Sequence, residues 1–247
     1  MKLIFANWKM YLDLKQSLKL AEDISSLKFD STKISFAVFP NQLALCEVAQ
    51  KLKESNIQVG SQNVDWEING AYSGATSVHM FQEIGCSFAL VGHSERRHIF
   101  GETNEDVRKK IEACLQNNVI PVLCIGETKE EKDAGIRKIV LEEQLKTALE
   151  NLENNNTKII IAYEPVWAIG TGDACKPDEA QEVHMWIKEE YKKYFGGEGV
   201  EIIYGGSVDA KNVLSYLSID AISGVLVGSA STKIESLSAI LGVAENL

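Results

Sequence analysis

The sequence predicts an α/β fold, a single closed (β/α)8 barrel with parallel strands. Short apolar or β-branched runs alternate with longer amphipathic stretches, eight times over. These runs are apolar throughout, as expected of a parallel sheet covered on its faces. Eight such units in 247 residues also match the size of one barrel. The rival is a doubly wound open sheet, which often carries GxGxxG after its first strand. Here the first strand is followed by Asn7-Trp8-Lys9, and that fingerprint is absent there.

Taken in order, the strand candidates are residues 3–8, 34–39, 57–63, 88–92, 120–125, 159–164, 201–204 and 224–228. The segments between them are rich in Glu, Lys, Gln, Leu and Ala, as in 102–118 and 177–194. Asn117-Asn118 before the fifth strand reads as a helix stop. The Asn154-Asn155-Asn156 run reads as a helix-to-strand turn. Pro177 followed by Asp178 and Glu179 is a helix start. No linker or low-complexity tract interrupts the pattern, so residues 1–247 read as one domain.

Composition bounds the function. Hydrophobic content of 45% and charged content of 24% are those of an ordinary globular chain. The net charge is −10, from 25 basic and 35 acidic residues. That argues against a general affinity for nucleic acid or anionic membranes, which needs a basic face. It leaves room for an anionic substrate, since a few oriented N–H groups and one Lys can hold a phosphate. The five cysteines, Cys46, Cys86, Cys114, Cys124 and Cys175, are scattered and contain no CxxC pair. Such thiols suggest a reducing compartment. No apolar stretch approaches the roughly 18 residues of a membrane span. The N-terminal apolar run stops at Asn7 and Lys9, too short for a secretory leader. A cytoplasmic protein is expected.

A barrel builds its active site at the carboxyl ends of its strands. The uncommon polar residues and glycines fall there: Asn7 and Lys9, Gln62 and Asn63, His93 to Glu95, Gly126-Glu127, Glu164, Gly205-Gly206-Ser207, and Gly228-Ser229. In the segment 162–172, a strand ends in the carboxylate Glu164. Rigid Pro165 follows, then apolar Val166-Trp167-Ala168-Ile169 and mobile Gly170-Thr171-Gly172. A base beneath an apolar flap suits a proton transfer that must exclude water. The loops holding Gly205-Gly206-Ser207 and Gly228-Ser229 each precede an expected helix and suit a phosphate. His93 precedes a capped helical turn, whose N-terminus disfavours the imidazolium, so a neutral ring could polarise a carbonyl. The four histidines show no HxH or HExxH spacing, which argues against a metal. Lys9 could neutralise an anion or form a Schiff base.

The motifs Asn7-Trp8-Lys9-Met10, Gly92-His93-Ser94-Glu95-Arg96-Arg97, Cys124-Ile125-Gly126-Glu127, residues 162–172 and Tyr204-Gly205-Gly206-Ser207-Val208 together resemble triosephosphate isomerase. The resemblance runs in order from Leu3 to about Ser231. It implies a TIM barrel that interconverts D-glyceraldehyde 3-phosphate and dihydroxyacetone phosphate without a cofactor. A Glu base, a neutral His and a closing loop are devices already known for that family, not deductions from this chain. Carried over, Glu164 would be the base, His93 the electrophile, and Lys9 and Asn7 the holders of substrate and enediolate charge. Glu95 would support Lys9. Gly170, Ser207, Gly228 and Ser229 would bind the phosphate. Residues 165–172 would form the lid, latched by Tyr204 and Ser207. The loop 69–75 would insert into a second subunit, making a homodimer, with Ser73 in place of a usual Thr.

Some positions depart from the pattern. Ser229 stands where a second Gly is usual, and Ala75 replaces a Glu that would pair with Arg96. Lys188 and Ser223 replace an Arg and an Asp expected to pair, so this chain should join its seventh and eighth units differently. Cys124 and Cys175 are candidate oxidation sites.

Overall fold

In the computed structural model, which describes residues 1–152, 158–170, 172, 174–195 and 199–247, each strand pairs in parallel with the next and the last returns to the first. The strands are β1 (Lys2–Asn7), β2 (Ile34–Phe39), β3 (Ile57–Ser61), β4 (Phe88–Val91), β5 (Ile120–Ile125), β6 (Ile160–Tyr163), β7 (Glu201–Tyr204) and β8 (Gly224–Val227). Closure is made by β8 against β1, with Leu3 opposite Gly224 and Ala6 opposite Val227. The helices are α1 (Leu14–Ser25), α2 (Gln42–Leu52), α3 (Val78–Glu83), α4 (Ser94–His98), α5 (Asn104–Gln116), α6 (Lys129–Asp133), α7 (Arg137–Leu149), α8 (Pro177–Phe195), α9 (Val213–Leu217) and α10 (Ile234–Glu245). The Asn154 to Asn156 turn lies outside the described residues.

Strand alternation explains the continuous apolar runs. Leu3 and Phe5 of β1 join Ala37, Phe39, Phe88, Leu90, Val122, Cys124, Ile160, Ala162, Ile203 and Leu226 in one buried cluster, the filling of the barrel. The intervening Ile4 and Ala6 belong to a second cluster shared with the helices. Both faces of most strand positions are therefore buried; Ser35 of β2 and Gln58 of β3 are polar exceptions and hydrogen-bond to each other at 3.0 Å. Phe5, Phe39 and Phe88 pack as a triad with centroids 4.8 to 6.4 Å apart.

Helix signals fall where expected. Thr103 caps α5 through a reciprocal pair with Asp106. Asn117 ends that helix and Asn118 turns into the left-handed region at φ 55°. Pro177 opens α8. Strand β3 stops at Ser61, two residues early, because Gln62 and Asn63 turn to site contacts. Ser223 joins β7 to β8 reciprocally: its N–H donates to the Ile202 carbonyl at 2.8 Å, and its hydroxyl accepts the Ile202 N–H at 3.3 Å. Lys188 is exposed. Cys124 and Cys175 are both fully buried. Burial pushes the Cys124 thiol well above its ordinary value and the Cys175 thiol up to about 12. Neither is therefore a reactive thiolate near neutral pH.

His184 of α8 is buried between the Tyr163 and Tyr204 rings. Its Nδ1 donates to the Ala180 carbonyl at 2.7 Å. Burial lowers its pKa to about 4, against roughly 6.5 in the unfolded chain. Between those values only the unfolded state takes the proton. The unfolding free energy is thus unaffected above pH 6.5 and should fall by about 3 kcal/mol as pH drops towards 4. Denaturant melts across that range should show a flatter dependence in His184→Gln, and an identical slope would exclude His184 as the cause.

Candidate active site

The candidate residues converge at the carboxyl end of the barrel. Asn7, Lys9, His93, Glu164, Gly170, Ser207, Gly228 and Ser229 all line one cavity of about 740 Å³. Glu95 lies in an adjoining cavity of about 330 Å³, which Asn7, Lys9 and His93 also line.

Asn7 ends β1 and is buried. Its Oδ1 accepts the Lys9 N–H at 3.0 Å. That bond supports Lys9 in the left-handed region at φ 48°, which a non-glycine residue rarely adopts. Gln62 steadies the same turn, donating to the Lys9 carbonyl at 2.9 Å and the Phe39 carbonyl at 2.8 Å. The backbone strain aims the Lys9 ammonium inward, where it donates to Glu95 Oε1 at 2.7 Å. A Cβ placed on Gly228 would lie 3.5 Å from Lys9 Cε, so the side chain crosses to the loop after β8.

His93 caps α4 with its own ring, Nδ1 accepting the Glu95 N–H at 3.2 Å. A ring nitrogen that accepts a hydrogen bond carries no proton. The neutral ring therefore bears its proton on Nε2, 3.1 Å from Glu164 Oε1. Helix α4 has only five residues. One directed N–H, rather than the dipole of a long helix, fixes the orientation of the ring.

Glu164 follows β6 and is 2% exposed. Its Oε2 accepts the Ser94 N–H at 3.0 Å, and its own N–H donates to the Ile125 carbonyl at 2.7 Å. Gly126 is required beside it: a Cβ there would meet the Glu164 carbonyl oxygen at 1.8 Å. A carboxylate and an imidazole N–H are thus held in contact, both side chains buried at the edge of the cavity.

The segment after Glu164 is pinned at several points. Residues Val166–Ala168 form a 3-10 turn. Trp167 Nε1 donates to Glu127 Oε1 at 2.9 Å. The Ser207 hydroxyl and N–H both donate to the Ala168 carbonyl, at 2.6 and 3.1 Å. At the far end the Cys175 N–H donates to the Tyr204 hydroxyl at 3.1 Å. Gly170 lies in the left-handed region at φ 70° and turns the chain where a side chain would be strained. Thr171 lies outside the described residues.

One expectation about the phosphate loops is corrected. Ser229 opens only a 3-10 turn, Ser229–Thr232, and the helix after Ser207 begins at Val213. The available donors are individual N–H and hydroxyl groups, with little help from a helix dipole.

Sequence reasoning assigned no role to Arg97 or to Glu127. Arg97 is half-buried and donates to the Gly92 carbonyl at 2.7 Å, the Cys124 carbonyl at 3.1 Å and Asn104 Oδ1 at 2.6 Å. It ties the His93 turn to β5. Glu127 is fully buried and accepts from Tyr163, Trp167 and Arg137. Glu127 carries a visible signal, a charge at an apolar strand end, whereas Arg97 sits inside α4 and carries none. Arg96 pairs with Glu102 at 3.3 Å and covers the Phe100 ring.

Residues 2–244 match the family model described as triosephosphate isomerase. A triosephosphate isomerase of Aquifex aeolicus is 41% identical over 242 residues, covering 97% of this chain and 98% of the relative. One of Francisella philomiragia is 40% identical, covering all of this chain and 98% of the relative.

Proposed function

Because the chain belongs to the triosephosphate isomerase family, we propose that it interconverts D-glyceraldehyde 3-phosphate and dihydroxyacetone phosphate through an enediol(ate). The observation that carries this reading is the 3.1 Å contact between Glu164 Oε1 and His93 Nε2, with Nδ1 committed to the Glu95 N–H. Glu164 takes a proton from the hydroxyl-bearing carbon beside the carbonyl. The electrons of that C–H bond pass to the carbonyl oxygen, which His93 Nε2–H polarises. Glu164 then returns a proton to the neighbouring carbon, while His93 moves protons between the two oxygens. Base and electrophile now touch each other, so substrate must enter between them and draw Glu164 off the Ser94 N–H.

Lys9 supplies positive charge for the enediolate, with Asn7 and Glu95 fixing its turn and its ammonium. Ser207, Gly228, Ser229 and Gly170 receive the phosphate. Residues 165–172 close over it, with Tyr204 and Ser207 as latches. Exclusion of water keeps the enediolate from eliminating phosphate. The reaction uses no cofactor, because the proton leaves and returns within one molecule.

We further propose a one-domain chain, residues 1–247, that works as a cytoplasmic homodimer through the exposed 69–75 loop and does not bind nucleic acid or membrane. No helix among the described residues is long and apolar enough to cross a membrane.

The mechanism is tested by running dihydroxyacetone phosphate in D2O. An enediol route exchanges the migrating proton with solvent, so product and recovered substrate should carry deuterium at the reacting carbon. Turnover without incorporation that also survives in Glu164→Gln would indicate a direct hydride shift and exclude Glu164 as a base. Borohydride added during turnover should leave Lys9 unlabelled, since labelling there would signal a Schiff base.

A further inference from the structure

Glu127 is half of a larger charged network beneath the segment after Glu164. Arg137 opens α7 and donates through Nε to Glu127 Oε1 at 2.9 Å. Its Nη2 reaches Glu179, in the first turn of α8. The same Glu179 oxygen holds the Lys132 ammonium of α6 at 2.8 Å. That ammonium sits over the Trp167 ring, 3.5 Å from its centroid. Trp167 is therefore held at its indole N–H by Glu127 and on its ring face by Lys132.

Both grips lead back to Glu179. It restrains Lys132 directly and positions Arg137 against Glu127. It also lies only four residues beyond Cys175, where the segment is tied to Tyr204. One carboxylate thus restrains the side chains that hold Trp167, close in sequence to the Cys175 tether. The network is well shielded: Glu127 is fully covered, and Arg137, Lys132 and Glu179 expose 19%, 26% and 26% of their side chains. Burial raises the Glu179 pKa, but hydrogen bonds from Lys132 and Arg137 outweigh it and hold the carboxyl below its ordinary value. Shielded pairs of this kind are more strongly coupled than surface ones.

We propose that Glu179 is a positioning residue for the isomerase lid: it holds Lys132 on Trp167 and so stabilises the lid in its ligand-free position. The inference rests on the proposed lid role of residues 165–172. Glu164 and His93 fill the space between them that substrate needs, so this lid position is the ligand-free one; Tyr204 and Ser207 already hold Cys175 and Ala168 in it, and latching on closure exchanges those partners for others on the segment. Weakening the grip on Trp167 should therefore favour the ligand-bound position.

The test uses phosphoglycolate, whose carboxylate copies an enediolate, on intact protein carrying fluorotryptophan. The Trp167 resonance is assigned by its loss in Trp167→Phe. Glu179→Gln should bind phosphoglycolate roughly threefold tighter, the size of one half-exposed cation–ring contact. Its kcat and KM should fall together, because a lid that lingers on product slows release. Lys132→Met should do the same and Lys132→Arg should restore wild-type behaviour. A merely structural role for Glu179 would lower stability without tightening a ligand. If wild-type Trp167 shifts with phosphoglycolate while both variants bind it as wild type or more weakly, this inference is overturned and the lid reading stands. If wild-type Trp167 does not respond at all, the lid reading itself fails. Should Glu179→Gln not fold, Lys132→Met gives the same readout.

Discussion

Glu164→Gln is expected to lower kcat about a thousandfold, with KM changed by no more than a few fold. Positioned general bases contribute roughly 10² to 10⁴ in rate, so the estimate lies mid-range and corresponds to about 4 kcal/mol of barrier. The amide has the shape of the carboxylate it replaces. Its oxygen can still accept the Ser94 N–H that Glu164 Oε2 accepts at 3.0 Å, so the fold around β6 should be kept. An amide cannot take up a proton from carbon. Its NH2 would also face His93 Nε2–H, two donors in opposition, where the native pair is a donor and an acceptor. Binding through Lys9 and the phosphate loops is untouched, which is why the loss should appear in kcat. The measurement is a coupled assay on glyceraldehyde 3-phosphate, with a melting curve on the same sample. A folded variant with unchanged turnover would remove Glu164 from the chemistry.

The barrel was legible because burial on both faces leaves a simple record. The strands from Leu3 to Val227 read as largely apolar, and polar residues cluster at their carboxyl ends. The site was legible for the same reason: Asn7, His93 and Glu164 are conspicuous only because the residues before them are not polar. What stayed hidden depends on distance in the chain. Glu127 and Arg137 are 10 residues apart, and Arg137 and Glu179 are 42 apart. Single-sequence periodicity carries no information on such pairings. The left-handed turn at Lys9 was hidden differently, since Lys has no intrinsic preference for positive φ and takes it here through Asn7 and Gln62. Helix expectations after β7 and β8 failed because Gly and Ser mark any turn at a strand end, and a 3-10 turn uses the same residues as a helix start.

Dissociating the proposed dimer should cost about a hundredfold in kcat, a loss ordinarily seen when a catalytic group is misplaced by an ångström. The reasoning starts from Lys9. Its backbone at φ 48° is strained, and such residues keep their conformation only where the surroundings over-determine it. Asn7 and Gln62 supply part of that support. On its other side the chain is bare. Met10 is 93% exposed, Tyr11 57% and Phe100 65%, while Ile68 and Tyr72 at the projecting loop expose 60% and 50%. A monomer would leave this apolar surface in water, beside the cavity that Lys9, Glu95 and Phe100 share. A second copy whose 69–75 loop covers it would press on Met10 and hold the turn that aims Lys9. Charging the loop by Ile68→Asp with Tyr72→Asp should therefore give monomers by light scattering. Far-UV dichroism should be unchanged, because both side chains are largely solvent-exposed within one chain. Activity should then recover with protein concentration as dimers reform. A monomeric sample with full activity would show that one chain holds Lys9 unaided and that the 69–75 loop has no part in catalysis.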